Sequence, residues 1–405
     1  MRGKTTRWGL AGLLLVAWVV PAGARTALTG ANLFDGTSDR IRQDVTVLVR
    51  EGRIQGIVDG DARIPDGYEV IDCEGNYLLP GLFDVHTHLD TLDRARRALE
   101  SGVTTVRSAS VPAFEDVTLR EMVRAGELAG PDVVAAGVYV TPDLGDTVLA
   151  DPRLVELHDG VTSEADLRLL VSVNADRGVD VIKTRGTERA GLPETDPRQQ
   201  VYSERQLGII VEEAGRHGLP VMVHAHGDEG ARAAVMAGAR SIEHGTYLSP
   251  ETLALMKERG TWLVPTWVTM NEMNEPKYDY VLRLRGKHMV PQLEETIRAA
   301  HRMGVKIATG ADNYYESESI NRIAVEAATF VRLGMTPFEA LQSATVVSAE
   351  LLRLDDRTGR IAEGFEADMI LVPGNPLEDI SALQDVLLVM SNGQVALRRI
   401  PFALD

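Results

Sequence analysis

Short apolar segments alternate with amphipathic stretches along most of the chain, from about residue 78 to residue 354. The amphipathic stretches, such as residues 204–217 and 251–259, repeat apolar positions every three or four residues, as a helix with one buried face does. The apolar segments give eight strand candidates: residues 81–86, 103–106, 133–140, 179–183, 220–224, 241–244, 262–267 and 305–309. Eight strand–helix repeats predict an α/β fold of the (β/α)₈ TIM-barrel type.

An open, doubly wound parallel sheet is the alternative architecture for the same alternation of strands and helices. Sheets of that kind often bind nucleotides through a glycine-rich loop of the GxGxxG or GxxxxGK[ST] form. The amino-acid sequence contains neither loop. The pattern therefore favours the barrel, and a nucleotide-binding function lacks its main sequence feature.

The two ends of the chain have a different sequence pattern, in which short runs of β-branched residues are separated by turn residues. Near the amino-terminal end, Val45-Thr46-Val47-Leu48-Val49 is followed by the turn Glu51-Gly52-Arg53. Near the carboxyl-terminal end, an apolar run is followed by Ser391-Asn392-Gly393-Gln394, which is typical of a hairpin. We therefore predict that residues 25–77 and 355–405 form one small β-sandwich domain, and that residues 78–354 form the barrel.

The first 24 residues predict a secretory signal peptide. Arg2, Lys4 and Arg7 give a positive start, residues 9–20 form a continuous apolar run, and Ala22-Gly23-Ala24 has the small-residue pattern of a cleavage site. An uncleaved membrane anchor is the alternative, but the apolar run is short for a bilayer span. Cleavage at this site predicts a periplasmic or secreted protein without a membrane segment.

Composition narrows the chemistry that a site can use. The 405 residues carry a formal net charge of −17, which disfavours nucleic acid as a partner because phosphates would be repelled. Cys73 is the only cysteine, so the chain can form neither an internal disulfide nor a zinc site with several thiolate ligands. A metal site must therefore use His, Asp, Glu or Lys side chains.

Six ionisable residues fall at the carboxyl ends of predicted strands: His86, His88, Lys183, His224, His244 and Asp312. In a barrel these ends meet at one mouth, where active sites lie. Alternation along a strand places both histidines of His86-Thr87-His88 on one face. Imidazole and carboxylate ligands suit divalent ions, with Zn²⁺ expected and Mn²⁺, Co²⁺ or Fe²⁺ as alternatives. Carboxylation of Lys183 by CO₂ would turn a costly buried ammonium into an anion that can bridge two metal ions.

Other side chains near the strand ends are candidates for contacts with a substrate. His226 lies two residues beyond a predicted ligand on the same strand, and it can act in catalysis or only orient a neighbour. Arg185 and Tyr247 can bind a substrate carboxylate, or lie in solvent at the rim. Tyr314 can line an apolar substrate pocket, or pack at the barrel mouth.

A set of short motifs spans nearly all of the chain after the predicted signal peptide. They are Leu79-Pro80-Gly81-Leu82-Phe83-Asp84-Val85-His86-Thr87-His88, Gly102-Val103-Thr104-Thr105-Val106-Arg107, Val181-Ile182-Lys183, His224-Ala225-His226-Gly227, Ser241-Ile242-Glu243-His244-Gly245, Val264-Pro265-Thr266, Gly310-Ala311-Asp312 and Gly364-Phe365-Glu366-Ala367-Asp368. With these motifs, in this order, the chain resembles the amidohydrolase superfamily. It is most similar to the imidazolonepropionase-like branch, which includes metal-dependent Xaa-Pro and related dipeptidases and ochratoxinase-like amidases.

The resemblance implies a role for each matching residue. His86, His88 and Asp312 hold one metal ion, and His224 and His244 hold a second. Lys183, as N6-carboxylysine, bridges the two ions, and Asp312 is also the catalytic proton acceptor. The chain departs from the branch directly after Asp312, where two tyrosines follow in place of the usual small residues. A substrate of the branch therefore cannot be carried over directly.

These observations predict an exported, binuclear metal-dependent hydrolase that cleaves an amide bond by a metal-activated hydroxide. The favoured substrates are dipeptides or N-acyl amino acids, with release of the C-terminal residue. One alternative is hydrolysis of an aryl or cyclic amide, as in an ochratoxinase-like amidase, or of a lactone. An alternative of another class is a non-catalytic binding protein on the same scaffold. A homo-oligomer is compatible with every one of these readings, and the sequence shows no interface.

Overall fold

The computed structural model describes residues 25–316 and 321–400. The predicted signal peptide, residues 1–24, lies outside the described residues, so its cleavage and the export of the protein stay predictions. Among the helices of the described ranges, none combines the length and the apolar composition needed to cross a bilayer.

Fifteen strands occur in the described ranges, numbered here in chain order. They are β1 (Arg25–Leu33), β2 (Arg42–Arg50), β3 (Arg53–Asp59), β4 (Glu69–Asp72), β5 (Tyr77–Pro80), β6 (Leu82–Thr87), β7 (Val103–Ser108), β8 (Asp132–Val134), β9 (Ile182–Arg185), β10 (Val221–Ala225), β11 (Ser241–His244), β12 (Trp262–Val264), β13 (Met369–Val372), β14 (Leu388–Ser391) and β15 (Gln394–Arg398). Seven of them, β6, β7 and β10 to β14, are buried at every residue, as strands covered on both faces are.

Strands from both ends of the chain pair in one eight-stranded sheet, in the order β15-β14-β13-β5-β1-β2-β3 with β4 beside β1. β5 joins the two ends, because it pairs parallel to β1 and antiparallel to β13. Alternate residues of β2, namely Val45, Val47 and Val49, are buried in an apolar core together with Leu28 and Leu371. The two ends therefore share one sheet and one core. A sandwich of two sheets, and the predicted domain boundaries, stay predictions.

The middle of the chain forms two parallel sheets, one of β6, β7 and β8 and one of β9, β10, β11 and β12. Isolated parallel bridges extend the second of these sheets at both of its edges: Val140 pairs with Thr184 of β9, and Ile307 pairs with Leu263 of β12. Residues 305–309, predicted as a strand, form no regular strand, but the amide of Val85 in β6 donates to the carbonyl of Thr309 at 3.0 Å. The α/β class of fold is confirmed, while regular pairing among the described residues is not continuous around a barrel.

Eleven α-helices occur in the described ranges. They are α1 (Leu92–Glu100), α2 (Glu115–Arg124), α3 (Glu164–Asp176), α4 (Glu204–Arg216), α5 (Asp228–Ala237), α6 (Pro250–Arg259), α7 (Trp267–Glu272), α8 (Tyr280–Met303), α9 (Arg322–Arg332), α10 (Pro337–Ser343) and α11 (Val346–Leu352). Three short 3₁₀ helices cover Gly145–Ala150, Pro152–Leu157 and Ile380–Gln384. The two helices predicted from the sequence correspond to α4 and α6. Ser203 and Gln206 form a capping box that fixes the start of α4.

The parallel strands bring the predicted site residues to one edge of their sheets. His86 lies near the end of β6, Lys183 lies within β9, His224 lies near the end of β10, and His244 ends β11. The chain after residue 309 approaches β6 so closely that a Cβ at Gly310 would lie 2.8 Å from the Cβ of His86. Glycine is therefore required at this position if the following residues are to reach the site.

Candidate active site

Two groups of side chains at the strand ends have the arrangement of metal ligands. Within each group, the potential ligand atoms all lie within 4.8 Å of one another. The first group is His86, His88 and Asp312, and the second is His224, His226 and His244. The rings of His86 and His244 approach to 5.1 Å, so the two groups adjoin. His226, predicted as a catalytic residue, therefore lies among the potential ligands themselves.

Burial keeps four imidazoles of this site, those of His86, His224, His226 and His244, in the neutral form. Burial, with the charge of Lys183, lowers the pKa of His86 to about 4, and burial lowers the pKa of His226 to about 3. The pKa values of His224 and His244 are held well below their usual range, again mainly by burial. A neutral imidazole keeps one nitrogen lone pair free, which is the form that binds a metal ion.

Backbone carbonyls decide which imidazole nitrogen is free. Nδ1 of His88 lies 2.7 Å from the carbonyl oxygen of Ser110, and Nε2 of His224 lies 3.1 Å from that of Glu188. A carbonyl can only accept a hydrogen bond, so each of these nitrogens carries the proton. His88 therefore offers Nε2, which lies 3.2 Å from Oδ1 of Asp312, whereas His224 offers Nδ1. Fixed tautomers of this kind are typical of histidines that bind metal.

A buried carboxylate holds His86. Oε2 of Glu243 lies 2.6 Å from Nδ1 of His86, and Oε1 of Glu243 lies 2.9 Å from a guanidinium nitrogen of Arg107. Burial acts to raise the pKa of the Glu243 carboxyl, but the charge of Arg107 and the bond to His86 outweigh it and lower the pKa to about 2. Glu243 is therefore an anion at neutral pH, and the remaining nitrogen of His86 faces the site.

Lys183 is almost fully buried, with 3% of its surface exposed. Its Nζ lies 3.5 Å from Nε2 of His86 and 5.8 Å from the centroid of the Tyr139 ring. Within the described residues, no carboxylate lies within ion-pair distance of this ammonium. Burial lowers the pKa of Lys183 to about 8, so the neutral amine, which is a nucleophile, is readily formed.

The backbone of Asp312 adopts the left-handed conformation, with φ at 46°. Its amide donates to the carbonyl of His86 at 2.6 Å, and the hydroxyl of Thr269 donates to the carbonyl of Asp312 at 2.8 Å. Burial acts to raise the pKa of the Asp312 carboxyl, but His86, His88 and Lys183 outweigh it and hold the pKa well below the usual range. A strained backbone held by neighbours and an ionised carboxylate are both typical of a functional residue.

Asp84 positions the segment that carries Asp312. Its carboxylate accepts hydrogen bonds from the amide of Ala311 at 3.0 Å and from the hydroxyl of Tyr315 at 2.8 Å. Burial raises the pKa of Asp84 to about 6. Tyr315 is 4% exposed, so it anchors the loop as well as forming part of the wall of the site.

A cavity of about 610 Å³ opens onto these residues. Tyr314 lines the cavity, and its ring stacks on that of His88 with centroids 5.0 Å apart and an angle of 20° between the planes. Arg185 and Tyr247 are not among the residues that line it. The guanidinium of Arg185 instead lies 3.1 Å from Oε2 of Glu188. The substrate-binding roles predicted for these three residues stay predictions.

Arg189 and Tyr139, which were not predicted, also line the cavity. In the described part of the chain, Arg189 has no carboxylate within ion-pair distance, whereas Arg322 in the same wall is paired with Glu272. The hydroxyl of Tyr139 is buried without a hydrogen-bond partner among the described residues. Arg189 lies outside every predicted strand, helix and motif, whereas Tyr139 lies next to the carboxyl end of the predicted strand 133–140, a position that could have pointed to it.

The donor set fits divalent metal ions. Neutral imidazoles and one ionised carboxylate are ligands that Zn²⁺ and related ions accept, and each histidine is held through its other nitrogen. Thr266 and Thr246 support His244 and His226 in this way, with oxygens 2.7 and 2.9 Å from Nδ1. A buried ammonium in contact with His86 does not fit beside cations unless Lys183 is deprotonated or carboxylated.

The α/β fold thus carries, at the strand ends, two groups of side chains that could hold metal ions. Residues 77–396 match the amidohydrolase family, and the chain belongs to that family. This membership supports a hydrolase acting on carbon–nitrogen bonds, and the predicted resemblance to the imidazolonepropionase-like branch is confirmed.

Individual relatives agree with this membership. The chain is 27% identical to ochratoxinase of Aspergillus niger over 89% of this chain and 83% of the relative. A solved Xaa-Pro dipeptidase with methionine bound in its active site is 30% identical, with a TM-score of 0.82 over 92% of this chain and 99% of the other. A solved prolidase complexed with N-methylphosphonate-L-proline is 26% identical, with a TM-score of 0.83 over 93% and 100%. These neighbours imply a TIM barrel for the middle of the chain.

Proposed function

We propose that the protein is an amidohydrolase that releases the C-terminal residue from dipeptides or N-acyl amino acids. The observation that carries this proposal is the position of Arg189, a cation in the wall of the cavity that lacks a carboxylate partner in the described part of the chain. A guanidinium placed in this way suits the terminal carboxylate of a substrate. Two solved relatives contain methionine and N-methylphosphonate-L-proline, and each of these compounds carries a free carboxylate of this kind.

The proposed centre contains two divalent ions, with Zn²⁺ expected. His86, His88 and Asp312 would hold one ion, and His224 and His244 would hold the other. Lys183, as N6-carboxylysine, would lie between them, which removes the buried ammonium and adds a bidentate anionic ligand. The low pKa of the Lys183 amine supports this assignment, because only the neutral amine reacts with CO₂.

Bound divalent ions supply Lewis acidity and lower the pKa of water, so that a nucleophile forms at neutral pH. The carboxylate of Asp312 accepts the proton of the attacking water and delivers it to the amine nitrogen of the leaving group. The unpaired hydroxyl of Tyr139 donates to the carbonyl oxygen on which negative charge develops. His226 is neutral, and its nitrogen opposite Thr246 faces the substrate or the second ion.

An aryl-amide hydrolase is the second candidate function. The Tyr314 ring, which is 46% exposed and stacked on His88, offers an aromatic surface at the mouth of the cavity. Such a surface would suit the flat acyl group of an ochratoxinase-like substrate, or of a cyclic amide or lactone. A non-catalytic binding protein is disfavoured, because every ligand type that the reaction needs is present at the strand ends.

Export to the periplasm or the medium is part of the proposal and rests on residues 1–24 alone. A small molecule or short peptide is the proposed partner, and the acidic net charge of −17 argues against nucleic acid. A homo-oligomer is compatible with these features. Fractionation of the expressing cells and analysis of the amino terminus of the exported protein would test the localisation.

The experiment that tests the function measures metal content together with turnover of matched substrates. One panel holds dipeptides and N-acyl amino acids, and the second holds the same compounds with the terminal carboxylate converted to an amide. Turnover of the free acids, with a strong loss for the amides, would support the proposal. Arg189→Met should raise KM for the acids by about tenfold or more and leave KM for the amides unchanged.

Arg198→Met is the matched control, because Arg198 is exposed, is paired with Asp196 and does not line the cavity. It should change KM for both panels little. Turnover limited to aryl or cyclic amides would keep the metal chemistry and reject the dipeptide specificity. Absence of both bound metal and turnover would reject the hydrolase.

A further inference from the structure

A second cavity, of about 440 Å³, lies at the opposite ends of the parallel strands from the candidate active site. Asp180, Pro220 and Arg240 line it, and each of them stands just before a strand, β9, β10 or β11, whose carboxyl end carries a predicted metal ligand. Substrate bound beside the histidines therefore cannot occupy this cavity. Nothing in the proposed reaction uses it.

The charges in the wall of this cavity are not balanced. Six arginines and two aspartates line it, although the chain as a whole carries a net charge of −17. Several of the arginines are paired, as Arg120 is with Asp180 at 2.5 Å and Arg357 with Asp132 at 3.4 Å. Both aspartates are thus engaged by arginines already.

Two of the arginines have only neutral partners. The guanidinium of Arg240 donates to the carbonyls of Glu350 at 2.7 Å and Leu351 at 3.2 Å, and that of Arg353 donates to the carbonyl of Gly218 at 3.3 Å. Neither has a carboxylate within ion-pair distance in the described ranges. Both line the cavity, and burial and then repulsion by the charge of Arg353 lower the pKa of Arg240, while Glu350 and Asp355 act in the opposite direction. An anion placed between them would remove this repulsion.

The rest of the wall is apolar. Val133, Val181, Leu352 and Leu354 line the cavity beside the guanidinium groups. A cavity of this size with an apolar wall and two adjacent cations suits an amphipathic anion better than a hydrated inorganic ion. The planar guanidinium groups match a carboxylate, whose two oxygens can accept several parallel hydrogen bonds.

We propose that this cavity is a binding site for a small organic carboxylate, with the carboxylate held by Arg240 and Arg353 and an aliphatic or aryl body against the apolar wall. The site is separate from the catalytic centre, and it needs neither bound metal nor turnover. The ligand class follows from two guanidinium groups whose partners are neutral carbonyls and from the apolar residues that line the same cavity.

Trp262 provides a direct reporter for the site, because the guanidinium of Arg240 lies 4.1 Å from the centroid of its ring. The test titrates the metal-loaded protein with octanoate and benzoate, and separately with octanol and inorganic phosphate, by calorimetry and tryptophan fluorescence. We expect saturable binding of the carboxylates, with a fluorescence change that Trp262→Phe removes while the heat of binding remains. Octanol and phosphate should bind at least about tenfold more weakly.

Arg353→Gln should weaken carboxylate binding by about tenfold or more and leave kcat and KM for the amide substrate unchanged. Arg353 is exposed, so this variant should fold normally; Arg205→Gln, which removes an exposed arginine from α4, is the matched control. Equal affinity of wild type and Arg353→Gln would overturn the proposal, since binding would then lie at the active site or be nonspecific. Octanol or phosphate binding as tightly as octanoate would also overturn it.

Discussion

Glu243 and His86 form a carboxylate–imidazole pair that is closed to solvent, with 2.6 Å between Oε2 and Nδ1 and side chains that are 0% and 2% exposed. Arg107, itself buried, balances the carboxylate from the other side. Glu243 lies in β11, His86 in β6 and Arg107 in β7, so these contacts join the two parallel sheets at the candidate site. The position of His86 is therefore set before any ion binds.

Replacement of Glu243 by glutamine should weaken metal binding by about 10- to 100-fold, because the amide cannot hold the His86 ring with a full negative charge. Competition with a chelator of known affinity measures the effect. The substitution also leaves the guanidinium of Arg107 buried without its anion, which should lower the free energy of unfolding by about 3–5 kcal/mol.

A double variant separates these two effects. Arg107→Leu combined with Glu243→Leu removes both buried charges, so stability should recover in part while metal affinity stays low. Recovery of metal affinity in the double variant would show that the single variant acted only through folding, and that Glu243 does not position His86.

Lys183→Ala should remove most of the bound metal and most of the activity if Lys183, as proposed, is carboxylated and lies between the two groups of potential ligands. Metal analysis and turnover measure the change, and accurate mass of the intact wild-type protein under non-denaturing conditions tests for the added carboxyl group. Lys306→Ala is the control, because Lys306 is half exposed and is paired with Glu350 on the surface. Two ions per chain and unchanged activity in Lys183→Ala would reject a bridging role.

Tyr139 and Tyr314 line the same cavity and make a matched pair. Tyr139→Phe should lower kcat by about 10²-fold with little change in KM, because its unpaired buried hydroxyl acts only when charge develops on the substrate oxygen. Tyr314→Phe keeps the ring that stacks on His88 and should change kcat by less than about twofold. Equal kcat values for wild type and Tyr139→Phe would remove Tyr139 from the mechanism.

Much of this site could be predicted from the position of each residue along its strand. Side chains alternate between the two faces of a strand, and the carboxyl ends of parallel strands lie at one edge of the sheet, so both regularities can be recognised in the sequence. His86, His224 and His244 are brought together as those regularities require. The pairing of Arg107 with Glu243 joins residues 136 positions apart, and no local pattern could select that partner. A charged residue inside a buried strand is nevertheless a sequence feature that calls for a partner of opposite charge.

Side-chain positions in the loop after β9 could not be predicted from the regularities of strands. Arg185 lies just beyond Lys183, and the sequence made it a candidate for binding a substrate carboxylate or for a position in solvent at the rim. The strand ends at Arg185, and the guanidinium pairs with Glu188 instead. Arg189 lines the cavity from a segment outside the helices and strands. The conformation of such a segment depends on tertiary packing and not on a periodic pattern in the sequence.

Glu326 in α9 is a fully buried carboxyl that should make stability depend on pH. Burial raises its pKa from 4.5 to about 8, although the amides of Trp267 and Val268, each 3.0 Å from a carboxyl oxygen, act in the opposite direction. A group whose pKa is higher in the folded state stabilises the protein fully below pH 4.5, and this contribution is lost as the pH rises through about 8.

The free energy of unfolding of the wild type should therefore fall, relative to Glu326→Gln, as the pH rises from 5 to 9, by a total on the order of a few kcal/mol. Glutamine is the matched control, because it has the shape of the protonated acid and cannot ionise. Urea unfolding at a series of pH values measures the free energy of unfolding of both proteins. Subtracting one value from the other at each pH cancels the titration of all other groups. Parallel profiles would mean that Glu326 stays ionised in the folded protein, held by the amides at the start of α7.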